Sequence, residues 1–357
     1  MRRLSDKLAH IDAALDGGSE VPGARRPGAL TLEQIRLRPA ALPECDLDEV
    51  DTSTSFLGKR ISAPVMVSPM TGGLQRGGDL NRRMARAAEE AQIPFGVGSQ
   101  RVALEVETRA KDFQVRDVAP TIPLIANLGA VQLVKGYGAD HALRAVEMIE
   151  ADGLYLHLNA MQEVVQEGGD TQWTGVLRAI EGVCLELARR APQVPVFARE
   201  VGFGLPREDV RRLIEAGVAG VDCAGGGGTS WSLVEGRVAE AEAFRQLGDV
   251  FADWGLTTPE AVLEVRSVAP SLTLVASGGV RTGLDVVRLL ALGADVAGMA
   301  SPILRAAADS EEACRAFVGS VLQQIRAAFF GVGARDLASF RSRPRLYRVP
   351  SLDPLQV

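Results

Sequence analysis

Between residues 64 and 302 the chain sets eight short apolar runs among stretches of helical pattern. The runs are PVMVSPM from Pro64, PFGVG from Pro94, IPLIANLG from Ile122, GLYLHLN from Gly153, PVFAREVG from Pro195, AGVDCAG from Ala219, LTLVASGG from Leu272 and VAGMASP from Val296. Between them lie segments such as DLNRRMARAAEEA, DHALRAVEMIEA, REDVRRLIEAG and TGLDVVRLLALGA; in the last, Leu284, Val287 and Ala291 recur at helical spacing. A strand that is apolar nearly throughout must be covered on both faces, and parallel strands need helical crossovers. Eight such units predict an α/β fold, a (β/α)8 TIM barrel. An open doubly wound sheet would share the alternation but should carry a GxGxxG turn after its first strand, and MTGGLQRGGD is not one.

The expected organisation has three parts. Residues 1–63 form an N-terminal extension with an amphipathic helix around Asp6–Leu15, 64–345 the barrel, and 346–357 a poorly ordered tail. EEACRAFVGSVLQQIRAAFFGVG reads as a closing helix ended by glycine. The stretch from Gly225 to Thr257, with Trp231 and Trp254, is a longer loop than a barrel connection needs.

At 46% hydrophobic and 24% charged, with a net charge of −6, the 357-residue chain is ordinary for a soluble protein and lacks the basic excess of a nucleic-acid or anionic-membrane binder. It has no membrane-spanning run and no signal-peptide pattern, so a cytoplasmic protein is expected. Cys45, Cys184, Cys223 and Cys314 form no CxxC pair and read as small hydrophobes.

In such a barrel the working face is the C-terminal end of the strands. There the sequence delivers Met70, Thr71, Gly72 and Gly73; Ser99, Gln100 and Arg101; Asn127; Asn159, Gln162 and Glu163; Arg199 and Glu200; Gly226–Ser230; Ser277, Gly278 and Gly279; and Ala300 with Ser301. ASGGVRTG and MASP, after the seventh and eighth strands, read as a phosphate cradle of bare amides with a helix N-terminus behind it.

SGGVRTGLDVVRLLALGAD resembles the phosphate-binding segment of FMN-dependent barrel enzymes, among them the 2-hydroxy acid oxidases and the type II isopentenyl-diphosphate isomerases. MTGG at 70, GSQR at 98, NLGAVQL at 127, HLNAMQEVVQEGGD at 157, REVGFGL at 199, GGGGTSW at 225 and WGLTT at 254 resemble the isomerases in order and spacing. The oxidases place a histidine base near the sixth or seventh strand, and this chain has only His10, His141 and His157. A nucleotide dehydrogenase needs a cysteine loop after the sixth strand, whereas Cys223 is expected inside it.

The resemblance implies interconversion of isopentenyl and dimethylallyl diphosphate with reduced FMN, Mg²⁺ and NADPH as reductant, in a homotetramer or larger ring. It implies that Met70, Thr71, Ser99, Asn127, Arg199, Thr229, Gly278, Gly279, Ala300 and Ser301 hold FMN. Lys7, Arg101, His157 and Asn159 would face the diphosphate, Glu163 would ligate Mg²⁺, and Gln162 would lie beside the allylic carbons, with Gln162 and His157 in catalytic roles. Read without the family, His157 and Asn159 could equally tie down a loop, and Lys7 could be a solvated charge.

Two positions depart from the pattern. Arg199 stands where the family has lysine, and Asp6 where it has an arginine that grips diphosphate. They leave open an FMN enzyme acting on another prenyl or non-diphosphate substrate. A flavin-binding sensor that has lost catalysis fits less well, since His157, Asn159, Gln162 and Glu163 all persist.

Overall fold

The computed structural model describes residues 17–21, 28–70, 75–342, 346–348 and 353–354, with Asp12 and Leu15 besides. Lys7, Asp6 and Thr71 lie outside them. The eight apolar runs form a closed parallel barrel. Its strands are Val65–Val67 (β1), Phe95–Gly96 (β2), Leu124–Gly129 (β3), Gly153–Leu158 (β4), Val196–Glu200 (β5), Gly220–Asp222 (β6), Thr273–Ser277 (β7) and Val296–Met299 (β8), each paired to the next, with β8 closing on β1.

Alternation along the strands sorts the side chains into two cores. Val65, Val67, Leu124, Ala126, Leu154, Leu156, Val196, Ala198, Leu274 and Ala276 belong to the large cluster between barrel and helices. Met66, Ile125, Tyr155, Phe197, Val275 and Val296 fill the barrel interior, sealed from below by Phe56 and Ile61 of the hairpin Thr54–Phe56 and Lys59–Ile61. Two residues further along each strand the same parity gives Ser68, Asn127, His157, Arg199, Ser277 and Gly298. An apolar floor thus carries a polar layer at the mouth, which is why GLYLHLN changes character at His157.

The closing helix is Glu311–Gly331, capped by Ser310 Oγ, which accepts from the Ala313 N–H at 2.9 Å. Three expectations are corrected. The Gly225–Thr257 loop holds two helices, Trp231–Val238 and Glu242–Val250, pressed together where a Cβ on Gly236 would meet Gly248 Cα at 2.9 Å. Part of the tail is built into a sheet, with Leu346–Arg348 antiparallel to Ile35–Leu37 and Leu346 buried. Leu284 is exposed, while Val286, Val287, Leu290 and Ala291 carry the packed side of its helix, Gly283–Ala291.

β6 ends at Asp222, so Cys223 falls one residue past the strand and is fully buried. All four cysteines are free, and burial pushes the Cys184 and Cys314 thiols up to about 11. Among the described residues no helix is long and apolar enough to cross a membrane.

Candidate active site

Arg199 rises from β5 into the polar layer and pairs there with Asp222 of β6, its register partner. Both are buried. Asp222 also accepts from Ser277 Oγ at 2.7 Å and from the Ala224 N–H at 3.3 Å. The guanidinium carbon lies 5.5 Å from the centre of the Tyr155 ring. Burial raises the Asp222 carboxyl against the pull of Arg199, Ser277 and the Ala224 amide, and it lifts the Tyr155 hydroxyl well above its ordinary range.

Met70, Arg199, Thr229, Gly278, Gly279, Ala300 and Ser301, all among the residues expected to hold FMN, line one cleft. Its back wall is two glycine loops in contact. Gly278 has φ +101, and a Cβ there would collide with Gly225 O. Only glycine fits.

The expected helix N-terminus is a correction. Asp285 Oδ2 accepts from the Arg281 and Thr282 N–H groups at 3.2 and 3.0 Å, and the Gly283 N–H donates to Gln324 Oε1 at 2.8 Å. The first-turn amides are thus taken by the helix's own Asp285 and by Gln324 of the closing helix, so bare amides for an anion come from the Gly278–Gly279 turn before it. Sequence reading also missed Ser68, which lines the cleft with a buried hydroxyl that has no hydrogen-bond partner among the described residues. An orphaned buried donor beside bare glycine amides fits a polar, phosphate-bearing cofactor.

Ser99 is half-buried past the end of β2. Asn127 is turned toward its neighbours: Nδ2 donates to Val97 O at 3.1 Å, and Oδ1 stands 2.8 Å from His157 Nδ1. An amide oxygen can only accept, so His157 carries its proton on Nδ1.

Beyond β4 the short helix Ala160–Val165 brings Gln162 and Glu163 to the same rim. Asn159 Nδ2 donates to Glu163 Oε1 at 2.8 Å and to Gln162 Oε1 at 3.2 Å. Gln162 Nε2 donates to Glu235 Oε1 at 2.7 Å, and the Asp170 N–H to Glu163 Oε2 at 2.7 Å. Arg101 reaches Glu105 at 2.9 Å and Asp170 at 3.1 Å, while Lys135 meets Asp170 at 2.5 Å.

Glu235 and Lys135 had no signal in the sequence, and Asp170, the last residue of HLNAMQEVVQEGGD, is not among the site residues that motif predicts. Burial pushes the Asp170 carboxyl up, but Lys135, Gln132 and Arg101 outweigh it and hold it below its ordinary range. Among the described residues no three acidic, His or Cys side chains cluster for a metal. Glu163 is a single buried carboxylate that accepts from Asn159 and the Asp170 N–H, and one carboxylate suits Mg²⁺, which keeps waters and takes its other ligands from phosphates.

Glu200, next to Arg199, is buried and accepts the N–H groups of Val201, Gly202 and Phe203 at 2.7, 2.7 and 2.5 Å, which fold the loop lining the cleft. Burial nevertheless pushes its carboxyl up from 4.5 to about 7. The folded protein therefore keeps this proton to higher pH than the unfolded chain. Its stabilising contribution is full below about 4.5 and gone above about 7. Urea unfolding of wild type and Glu200→Gln across that window should show the wild type losing ground to the variant as pH rises; parallel curves would contradict this.

Closed parallel strands, a glycine cradle after β7 and a polar mouth define a phosphate-binding (β/α)8 enzyme. The model of the family described as FMN-dependent dehydrogenase matches residues 7–117 and 181–346. The isopentenyl-diphosphate delta-isomerase of Stutzerimonas stutzeri is 44% identical over 339 residues, covering 95% of each chain. That of Xanthobacter autotrophicus is 45% identical over 344 residues, covering 96% of each. A mandelate oxidase variant with (S)-mandelic acid superimposes with a TM-score of 0.63 at 21% identity, over 97% of this chain and 95% of that one, a likeness of fold. The chain belongs to the FMN-dependent dehydrogenase family, within its isopentenyl-diphosphate delta-isomerase branch.

Proposed function

We propose that the protein interconverts isopentenyl and dimethylallyl diphosphate, with FMN in the glycine cleft and Mg²⁺ at Glu163. The observation that carries this reading is the rim of β4, where Asn159, Gln162 and Glu163 share one hydrogen-bond network beside the cleft. The reaction adds a proton to the terminal methylene carbon and removes one from the carbon nearer the diphosphate. Reduced FMN supplies the acid/base group. Met70, Thr71, Arg199, Thr229, the Gly278–Gly279 amides, Ala300 and Ser301 would hold it, with Ser99 and Asn127 shaping the wall.

Arg101, now paired with Glu105 and Asp170, would turn to a diphosphate, with His157 and Asn159 adding polar contacts. Glu163 would hold the metal, which would supply positive charge to the phosphates. Gln162 is neutral, so its amide orients a proton without setting a full charge against a carbocation-like centre. Its Nε2 is committed to Glu235, which fixes the plane of the amide. Lys7 completes the diphosphate grip in this reading. NADPH as the source of electrons, a homo-oligomeric assembly and a cytoplasmic setting belong to the same proposal.

Purified protein supplied with FMN, Mg²⁺ and isopentenyl diphosphate should form dimethylallyl diphosphate only after the flavin is reduced, and EDTA should abolish the reaction. Equal rates with oxidised flavin would overturn the proposal.

A further inference from the structure

The strap Gly17–Val21 plays no part in the roles given above. Its backbone is stapled to the loop after β6: the Val21 N–H donates to Gly228 O and the Ser230 N–H to Ser19 O, both at 2.9 Å, and Glu20 and Thr229 form an antiparallel bridge. Arg237 Nη2 adds a bond to Gly18 O at 2.6 Å. This pairing carries the Glu20 side chain into the wall of the cleft.

One Glu20 oxygen accepts from Ser301 Oγ at 2.9 Å and from Arg305 Nη2 at 2.6 Å; the other accepts from Arg281 Nη2 at 3.1 Å. Arg281 also donates to Gly279 O at 3.0 Å and Gly227 O at 2.9 Å, tying the two glycine loops of the cradle together. Burial pushes the Glu20 carboxyl up, but Arg305, Ser301 and Arg281 outweigh it and hold it below its ordinary range. Glu20 is therefore an anion seated at the N-terminus of the helix Ser301–Asp309, on the hydroxyl that the cofactor reading assigns to phosphate.

We propose that Glu20 is a built-in competitor of the cofactor's phosphate, which sets how tightly this chain takes up FMN. The inference rests on the cradle being the FMN site. A phosphate ester reaching the Gly278–Gly279 amides and Ser301 meets a carboxylate that already holds Ser301 and two guanidinium groups. Two anions at those donors repel, so the carboxylate must release Ser301. The strap is held by backbone bonds, so the side chain can swing aside while the strap stays in place. The cost falls on a flavin that carries a phosphate and not on one that lacks it.

The test is titration of flavin-depleted protein with FMN and, in parallel, with riboflavin, read by quenching of flavin fluorescence. Glu20→Gln keeps the backbone pairing and should tighten FMN about ten-fold, the scale of one charge-assisted hydrogen bond, with riboflavin unchanged. Inorganic phosphate should raise the unfolding temperature of the flavin-depleted variant more than that of the wild type. Equal or weaker FMN affinity in the variant, or an equal gain for riboflavin, overturns the competition. Failure of both proteins to bind either flavin overturns the cofactor reading beneath it.

Discussion

Replacement of Gln162 by asparagine should lower turnover about a thousand-fold while the protein keeps its FMN, the range expected when a group that positions a transferring proton is withdrawn. The substitution preserves the chemistry of the side chain and changes its reach. Asparagine is one methylene shorter, so its amide retreats by about 1.5 Å, and misplacement on that scale is costly in a preorganised site.

The Gln162 amide is set by two bonds, Nε2 to Glu235 and Oε1 from Asn159, and an amide one methylene shorter withdraws from both. Glu235 is buried, so the shortened side chain also withdraws one donor from a buried carboxylate. Flavin absorbance of the purified variant separates the two possible failures. A variant that retains FMN and turns over at the wild-type rate would remove Gln162 from the chemistry.

The second large effect is on stability. Arg199→Met should cost about 3–5 kcal/mol at pH 8, because it leaves Asp222 buried with no cation. Asp222 keeps Ser277 Oγ and the Ala224 N–H, two neutral donors that do not replace a charge. Removing Arg199 raises the already raised Asp222 pKa further, so the deficit should grow as pH rises and shrink in acid. Arg199→Met with Asp222→Asn should recover most of the loss, which urea unfolding of the four proteins in the cycle would measure. A single variant as stable as wild type would show that the pair is not what holds the two strand ends.

This bears on the departure from the family's lysine. The structure uses Arg199 as a bridge between β5 and β6 and a partner of the Tyr155 ring, and the wider guanidinium serves both.

The barrel was legible because each strand is covered on both faces and reads as an apolar run. The polar layer was legible for the same geometric reason: stepping by two from Tyr155 gives His157, from Phe197 gives Arg199 and from Val275 gives Ser277.

What escaped were pairings across the fold. Gln162 meets Glu235 across 73 positions, and Glu20 meets Ser301 across 281. No local pattern marks either glutamate. The cap on Gly283–Ala291 was visible in principle, since TGLD has a threonine three residues before an acid, but the phosphate reading claimed the same amides. The first helix inside Gly225–Thr257 was hidden because Trp231–Val238 mixes apolar, polar and charged residues with little order around the helix, whereas Glu242–Val250 is amphipathic and escaped only because the whole stretch reads as a loop.

The central claim is that these residues move a proton on and off a prenyl diphosphate. Its most direct test is anaerobic incubation of the FMN-loaded protein, reduced with dithionite, with isopentenyl diphosphate and Mg²⁺ in D₂O, followed by NMR. Dimethylallyl diphosphate carrying deuterium in a methyl group, formed over many turnovers without further consumption of reductant, is the predicted result. No exchange at either carbon, with the flavin bound and reduced, would contradict it and assign the scaffold to another substrate.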